Sequence, residues 1–104
     1  MTKKTHRNIL IISLNQEDII TLQLKKPSPS EKGEAKIIAE QKWNDQQNIS
    51  RELLAKIDNF LRANNSTVRD LQKVEAKIAP GQKYTTARII KITAKTLNHA
   101  LRNN

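Results

Sequence analysis

The residues that could do chemistry are few and scattered. Pro80-Gly81, followed by Lys83, Thr85 and Thr86 ahead of a helical stretch, has the outline of a phosphate cradle, because free N–H groups at a helix start attract anions. A cradle of this kind uses several glycines so that backbone can approach the phosphate closely, and this stretch has one. A plain strand-to-helix turn is the simpler reading. Lys91, Lys95 and Arg102, with Arg88, fall along one strip of a helix and could meet RNA phosphates, although such a strip is usually a solvated face. The carboxylates, among them Glu17, Asp18, Glu40, Asp58 and Glu75, suggest no acid–base dyad, and no nucleophile–base pair can be assembled. His6 and His99 are isolated, and the chain has no Cys. Thiol catalysis, disulfides and Cys-ligated zinc are thereby excluded. Catalysis by this chain alone, a metal and a cofactor are not expected.

Composition narrows the partners. The 104 residues carry 19 Lys plus Arg against 10 Asp plus Glu, a formal net charge of +9, which favours acidic partners, nucleic acid included. One Phe, one Tyr and one Trp are too few for the interleaved aromatics of a single-strand-binding platform. The length suits one domain over 1–104 with a single core. The lead at 1–7 is basic, but the apolar run behind it is short and no small-residue cleavage site follows, so a signal peptide is not expected. No run approaches membrane-spanning length, and a soluble, cytoplasmic protein without a membrane partner is expected.

The elements follow from the apolar periods. Residues 9–14 are apolar and rich in β-branched Ile apart from Ser13, the signature of a central strand covered on much of both faces. Residues 18–24 alternate, with Ile20, Leu22 and Leu24 on one side, and hairpin spacing pairs them antiparallel with the first strand. A Pro/Ser-rich connection at 25–34 leads to a third strand at 35–43, where Ile37, Ala39, Gln41 and Trp43 share a side. Ser50 is an N-cap candidate, and Ile49 with Leu54 occupies the positions of a hydrophobic staple. The helix behind them, at 51–63, stripes Leu53, Leu54, Ile57, Phe60 and Leu61, and Asn64-Asn65-Ser66 ends it. Val74, Ala76 and Ile78 then alternate with Lys73, Glu75 and Lys77, the pattern of a strand with one wet face.

The last helix, from about residue 85, has more apolar surface than a sheet-capping helix needs. Ala87, Ile90, Ala94, Leu97 and Leu101 make one stripe, and Arg88, Lys91, Lys95, Asn98 and Arg102 make a polar strip edged by His99. The remaining arc holds Ile89, Ile92, Thr93, Thr96 and Ala100. That arc is a candidate surface for another protein, with Phe60 or Leu61 contributing from the first helix. The order is βββαβα, a mixed sheet with two helices on one face. From residues alone the readings are a protein-interaction module or a small basic nucleic-acid-binding domain.

Three strings carry a family resemblance. ILIISLNQED resembles the opening strand and turn of the actin-like, ribonuclease-H-like half-domain. EQKWNDQQNISRELLAKIDNFL and AKIAPGQKYTTARIIKITAKTLNHAL are similar to the corresponding helix and turn–helix segments of the TsaB (YeaZ) family. The family turn is matched by Pro80, Gly81, Tyr84, Thr85 and Arg88, while Ala79 and Thr86 stand in place of family glycines. Ser13 stands where ATP-using actin-like proteins carry an acidic residue. The resemblance covers the N-terminal half of the family protein. It implies a non-catalytic subunit in tRNA threonylcarbamoyladenosine modification, one that dimerises or supports a TsaD-type enzyme through its two helices. Within such a system the basic strip of Lys91, Lys95 and Arg102 could contact tRNA, directly or indirectly.

Overall fold

A computed structural model describes residues 8–15, 17, 19–26, 36–44, 49–81 and 84–102, with Ile49, Ser50, Arg51 and Tyr84 described through their backbone only. The basic lead at 1–7 and most of the expected 25–34 connection therefore lie outside the described residues, as do the side chains of the expected cap and of half the staple. Lys25 and Lys26 themselves belong to a strand.

Among the described residues four strands and two α-helices form in the expected order: β1 (Asn8–Leu14), β2 (Ile19–Lys26), β3 (Lys36–Asn44), α1 (Ile49–Ala63), β4 (Leu71–Ile78) and α2 (Tyr84–Arg102). The sheet order is β3-β2-β1-β4. β1–β2 and β2–β3 pair antiparallel and β1–β4 pairs parallel, giving a mixed sheet. The parallel pair needs a crossover, which α1 supplies by carrying the chain from the β3 edge to the β4 edge.

The turns have local causes. Asn15 closes the first hairpin with its side chain, whose Oδ1 accepts from the N–H groups of Glu17 (2.8 Å) and Ile19 (3.0 Å). α1 ends where Asn65 takes a left-handed conformation (φ 59°), which Asn tolerates better than most residues, and the Ser66 N–H reaches back to the Leu61 carbonyl at 2.8 Å. The Asn64 side chain donates to the Phe60 carbonyl at 2.8 Å. Asp70 then ties off the link to β4 by accepting from the Thr67 N–H at 3.0 Å.

One core results. The even-numbered residues of β1 and β2 (Leu10, Ile12, Leu14, Ile20, Leu22 and Leu24) point to the same face and are buried with Leu71 and Val74 of β4. Leu53, Ile57, Phe60 and Leu61 of α1, and Ile90 and Ala94 of α2, cover them. The architecture is α/β, a mixed four-stranded sheet backed by two helices, as expected. Trp43 is partly buried against this core, and Lys56 of α1 sits 4.9 Å from its ring centroid, linking the helix to the outer strand.

Two irregularities alter what alternation suggests. The pairing of β2 with β3 shifts between Leu24↔Ala39 and Lys25↔Ile37, which leaves Ile38 as an extra residue in a bulge. Ile37 consequently lies opposite Lys25 on the face away from the helices, and Ile37 and Ile38 are both about half exposed. The expectation that Ile37 shares a side with Ala39 and Trp43 is overturned by that one-residue phase change. β4 carries a second shift, between Asn8↔Leu71 and Ile9↔Lys73. The extra residue, Gln72, lets both Leu71 and Val74 face the core.

The face without helices is polar yet organised. Ile11 lies on it, flanked in register by Gln23 and Glu75, and is only 2% exposed. Gln23 Nε2 donates to Glu40 at 2.7 Å, and Lys73 Nζ contacts Glu75 at 2.8 Å. The Lys73 hydrogen bond holds the Glu75 carboxyl below its ordinary range against a smaller opposing effect of burial, helped by the charges of Lys73, Lys77 and Lys25.

Candidate functional site

The turn before α2 is built for chain reversal. Gly81 has φ +82°, a conformation that costs a residue with a Cβ, but a Cβ placed there would meet nothing within 4 Å. The glycine is required by the backbone angle, with no close approach involved. Thr85 is exposed, Thr86 is 6% exposed and turns inward, and Arg88 lies on the helix surface. Lys83 and the Tyr84 side chain lie outside the described residues. The stretch read as a possible cradle thus has its second threonine directed into the protein.

On α2 the expected inner stripe is found: Ala87, Ile90 and Ala94 are buried, with Leu97 and Leu101 partly so. The arc proposed as a protein surface is graded. Ile89 is half-buried and packs against the core, and Thr93 is also half-buried. Ile92, Thr96 and Ala100 are exposed, Ile92 to 52%. Ile92 is turned almost opposite the inner stripe, since two residues beyond Ile90 add about 200° of rotation.

On α1 the structure divides the expected stripe differently. Phe60 and Leu61 are 4% and 0% exposed and belong to the core, so neither offers a partner a surface. Leu54, expected inside with Leu53, is 56% exposed. Adjacent residues on a helix point about 100° apart, and Leu53, Ile57, Phe60 and Leu61 already fill the inner face. Among the described residues the helical layer therefore carries two exposed large apolar side chains, Leu54 and Ile92.

Lys91, Lys95 and Arg102 are all exposed on the opposite flank of α2 from Ile89, Thr93 and Ala100. Asn98, on that same flank, identifies where the flank lies. The Val74 N–H donates to Asn98 Oδ1 at 2.8 Å, and Asn98 Nδ2 donates to the Val74 carbonyl at 2.7 Å. The basic strip thus borders the outer edge of β4. Between strand and helix there is an open groove of about 620 Å³, lined by Val74, Ala76, Ala94, Lys95, Asn98 and Arg102 among others. Sequence reasoning placed Asn98 in the polar strip and missed this role. Its position next to the buried stripe was the available signal.

Among the described residues no cluster of His, Asp and Glu could hold a metal, and no helix is long and apolar enough to cross a membrane. No protein-family model matches the chain, and no curated protein matches it significantly in sequence. Solved structures do match its shape. YeaZ from Pseudomonas aeruginosa superposes with a TM-score of 0.69 at 15% identity, over 92% of this chain and 40% of the YeaZ chain. A second Pseudomonas aeruginosa structure, an uncharacterized protein with similarity to peptidase YeaZ, gives 0.66 at 14% identity with the same coverage. The chain spans about two fifths of the length of either structure, and over that span it has a distant YeaZ-like fold.

Proposed function

We propose that this chain is a non-catalytic, TsaB-like subunit of the tRNA threonylcarbamoyladenosine modification system. In this reading it acts as a dimerisation or scaffold partner of a TsaD-type enzyme through the outer side of its two helices. The observation that carries the reading is the exposure of Ile92 at 52% and Leu54 at 56% on a helical layer whose inner faces are already packed. Thr96 and Ala100 extend the α2 surface with small side chains that allow a partner helix close approach. The YeaZ-like fold supports the assignment to that system, and a cytoplasmic location belongs to the same reading. Ile89 and Thr93 contribute at the margin, while the turn at Pro80, Gly81, Tyr84, Thr85 and Arg88 serves to aim α2.

The test is association. Co-purification of the intact protein with a TsaD-type subunit, or a homodimer by sedimentation, supports the proposal. A monomer at high concentration that binds no such subunit overturns it. The rival reading, a basic nucleic-acid-binding domain, draws on the exposed Lys91, Lys95 and Arg102. Binding of tRNA through that strip would weaken steeply with salt, whereas an apolar helix interface would not.

A further inference from the structure

We propose that the basic residues beside Ile92 decide which partner the helical layer accepts. They bar a second copy of this chain and admit a different protein whose docking helix carries Asp or Glu next to its apolar contacts. This rests on the helix-layer reading above and narrows it to one kind of occupant.

Charge supplies the first part. α2 contains no Asp or Glu but carries Arg88, Lys91, Lys95 and Arg102. Lys91 adjoins Ile92 in sequence, and Lys95 stands three residues beyond it, close to one turn along the helix. Both lysines are exposed, and no carboxylate among the described residues pairs with either. α1 offers little compensation. Its Asp58 is taken by Arg62 at 3.1 Å. Its other acid, Glu52, is two residues from the exposed Leu54 and so points about 200° away from it. The apolar contacts of the layer are therefore bordered by unanswered positive charge.

Symmetry supplies the second part. Two copies meeting about a twofold axis present the same patch to one another. With α2 against α2, the lysines of both copies converge where Ile92 is buried, and neither helix has an acid to answer them. With α2 against α1, the lysines meet a helix whose Asp58 is engaged and whose Glu52 is turned away from Leu54. Either arrangement desolvates cations without partners and is penalised. The same field, on a chain of net charge +9, draws in an acidic surface. A partner helix with Asp or Glu one turn from its apolar residues turns the repulsion into pairing. The feature that rejects the copy thus selects the other protein.

The experiment mixes the intact protein with its variant Lys91→Glu plus Lys95→Glu, which stands in for a partner of matching shape with acids at those positions. One species is fluorescently labelled, and association is read by sedimentation velocity at low salt. Wild type alone should stay monomeric at concentrations where the mixture associates, with the mixed pair at least about tenfold tighter than the wild-type pair. Raising the salt should narrow that gap, because screening weakens both the repulsion and the pairing. Ile92→Ser in both species leaves the charges unchanged and should abolish the mixed association. If the double variant does not fold, Lys95→Glu alone takes its place. Wild type that self-associates as tightly as the mixture overturns the charge inference and leaves the helix-layer reading standing. A mixture that does not associate overturns the inference too, and binding of a TsaD-type subunit by wild type then decides that reading separately. Mixed association that survives Ile92→Ser overturns both.

Discussion

The Asn98 side chain makes two hydrogen bonds to one residue, accepting from the Val74 N–H at 2.8 Å and donating to the Val74 carbonyl at 2.7 Å. It fastens α2 to the edge of β4 at a point where the backbone would otherwise face the groove without a partner. A half-buried amide pair left without partners costs more than the net gain of the bonds themselves. Asn98→Ala should therefore lower unfolding free energy by about 1–3 kcal/mol in a urea titration. Asn98→Asp keeps the acceptor but sets a carboxylate against the Val74 carbonyl, so it should cost at least as much as the alanine variant at neutral pH. Equal stability of both variants with wild type would remove the fastening role.

Ile90 and Ile92 separate folding from association. Ile92→Asp changes a residue that is 52% exposed, and surface changes of that kind stay within about 0.5 kcal/mol. The circular-dichroism spectrum and melting curve should remain native while binding through the helical layer is lost. Ile90→Asp places a charge at a site with 0% exposure and should unfold the protein. Retained association in Ile92→Asp would sink the helix-face assignment.

Glu75 gives the pH prediction. Its folded-state pKa lies below the ordinary value of 4.5, first because of the Lys73 hydrogen bond. A lowered carboxylate contributes stability at pH above its unfolded value and loses that contribution as pH falls through the folded value. Lys73→Gln should move the Glu75 titration upward toward the ordinary value, read from side-chain carboxyl chemical shifts. Lys77 and Lys25 remain, so part of the lowering should persist. An unchanged titration in the variant would show that Lys73 is not the principal cause.

Gly81→Ala tests the turn. With φ at +82° and nothing within 4 Å of an added Cβ, the cost is conformational alone, about 1–2 kcal/mol. A urea midpoint shift of that size with native spectra is expected. A stabilising effect would mean that the turn relaxes to a negative φ.

Much of this architecture is legible in the chain. The apolar run ending at Leu14 marks the central strand, and the alternation of Val74, Ala76 and Ile78 marks the half-solvated one, because period-two patterns follow directly from which face is wet. The stripe Ala87, Ile90 and Ala94 fixes how α2 sits. The bulges at Ile38 and Gln72 were not legible, since one added residue leaves the local pattern plausible on both sides while reversing the phase beyond it. Leu54 was misplaced because two adjacent leucines compete for one inner position, and only the tertiary position of α1 decides between them. Assigning Phe60 and Leu61 to an interface failed for the same reason. The Asn98–Val74 contact spans 24 residues, and no local rule connects them.

The bulge in β3 makes the two margins of the sheet unequal. β3 is the outermost strand on its side, it is kinked at Ile38, and it carries Lys36, Glu40 and Lys42 along its exposed length, devices that discourage a second chain from pairing there. The β4 margin keeps an unbroken register with β1 from Lys73 to Ile78, and the Asn98 side chain occupies the Val74 N–H and carbonyl on its outer side. The two margins are thus guarded in different ways, one by a kink with charged side chains and the other by a side-chain amide that stands in for a backbone partner.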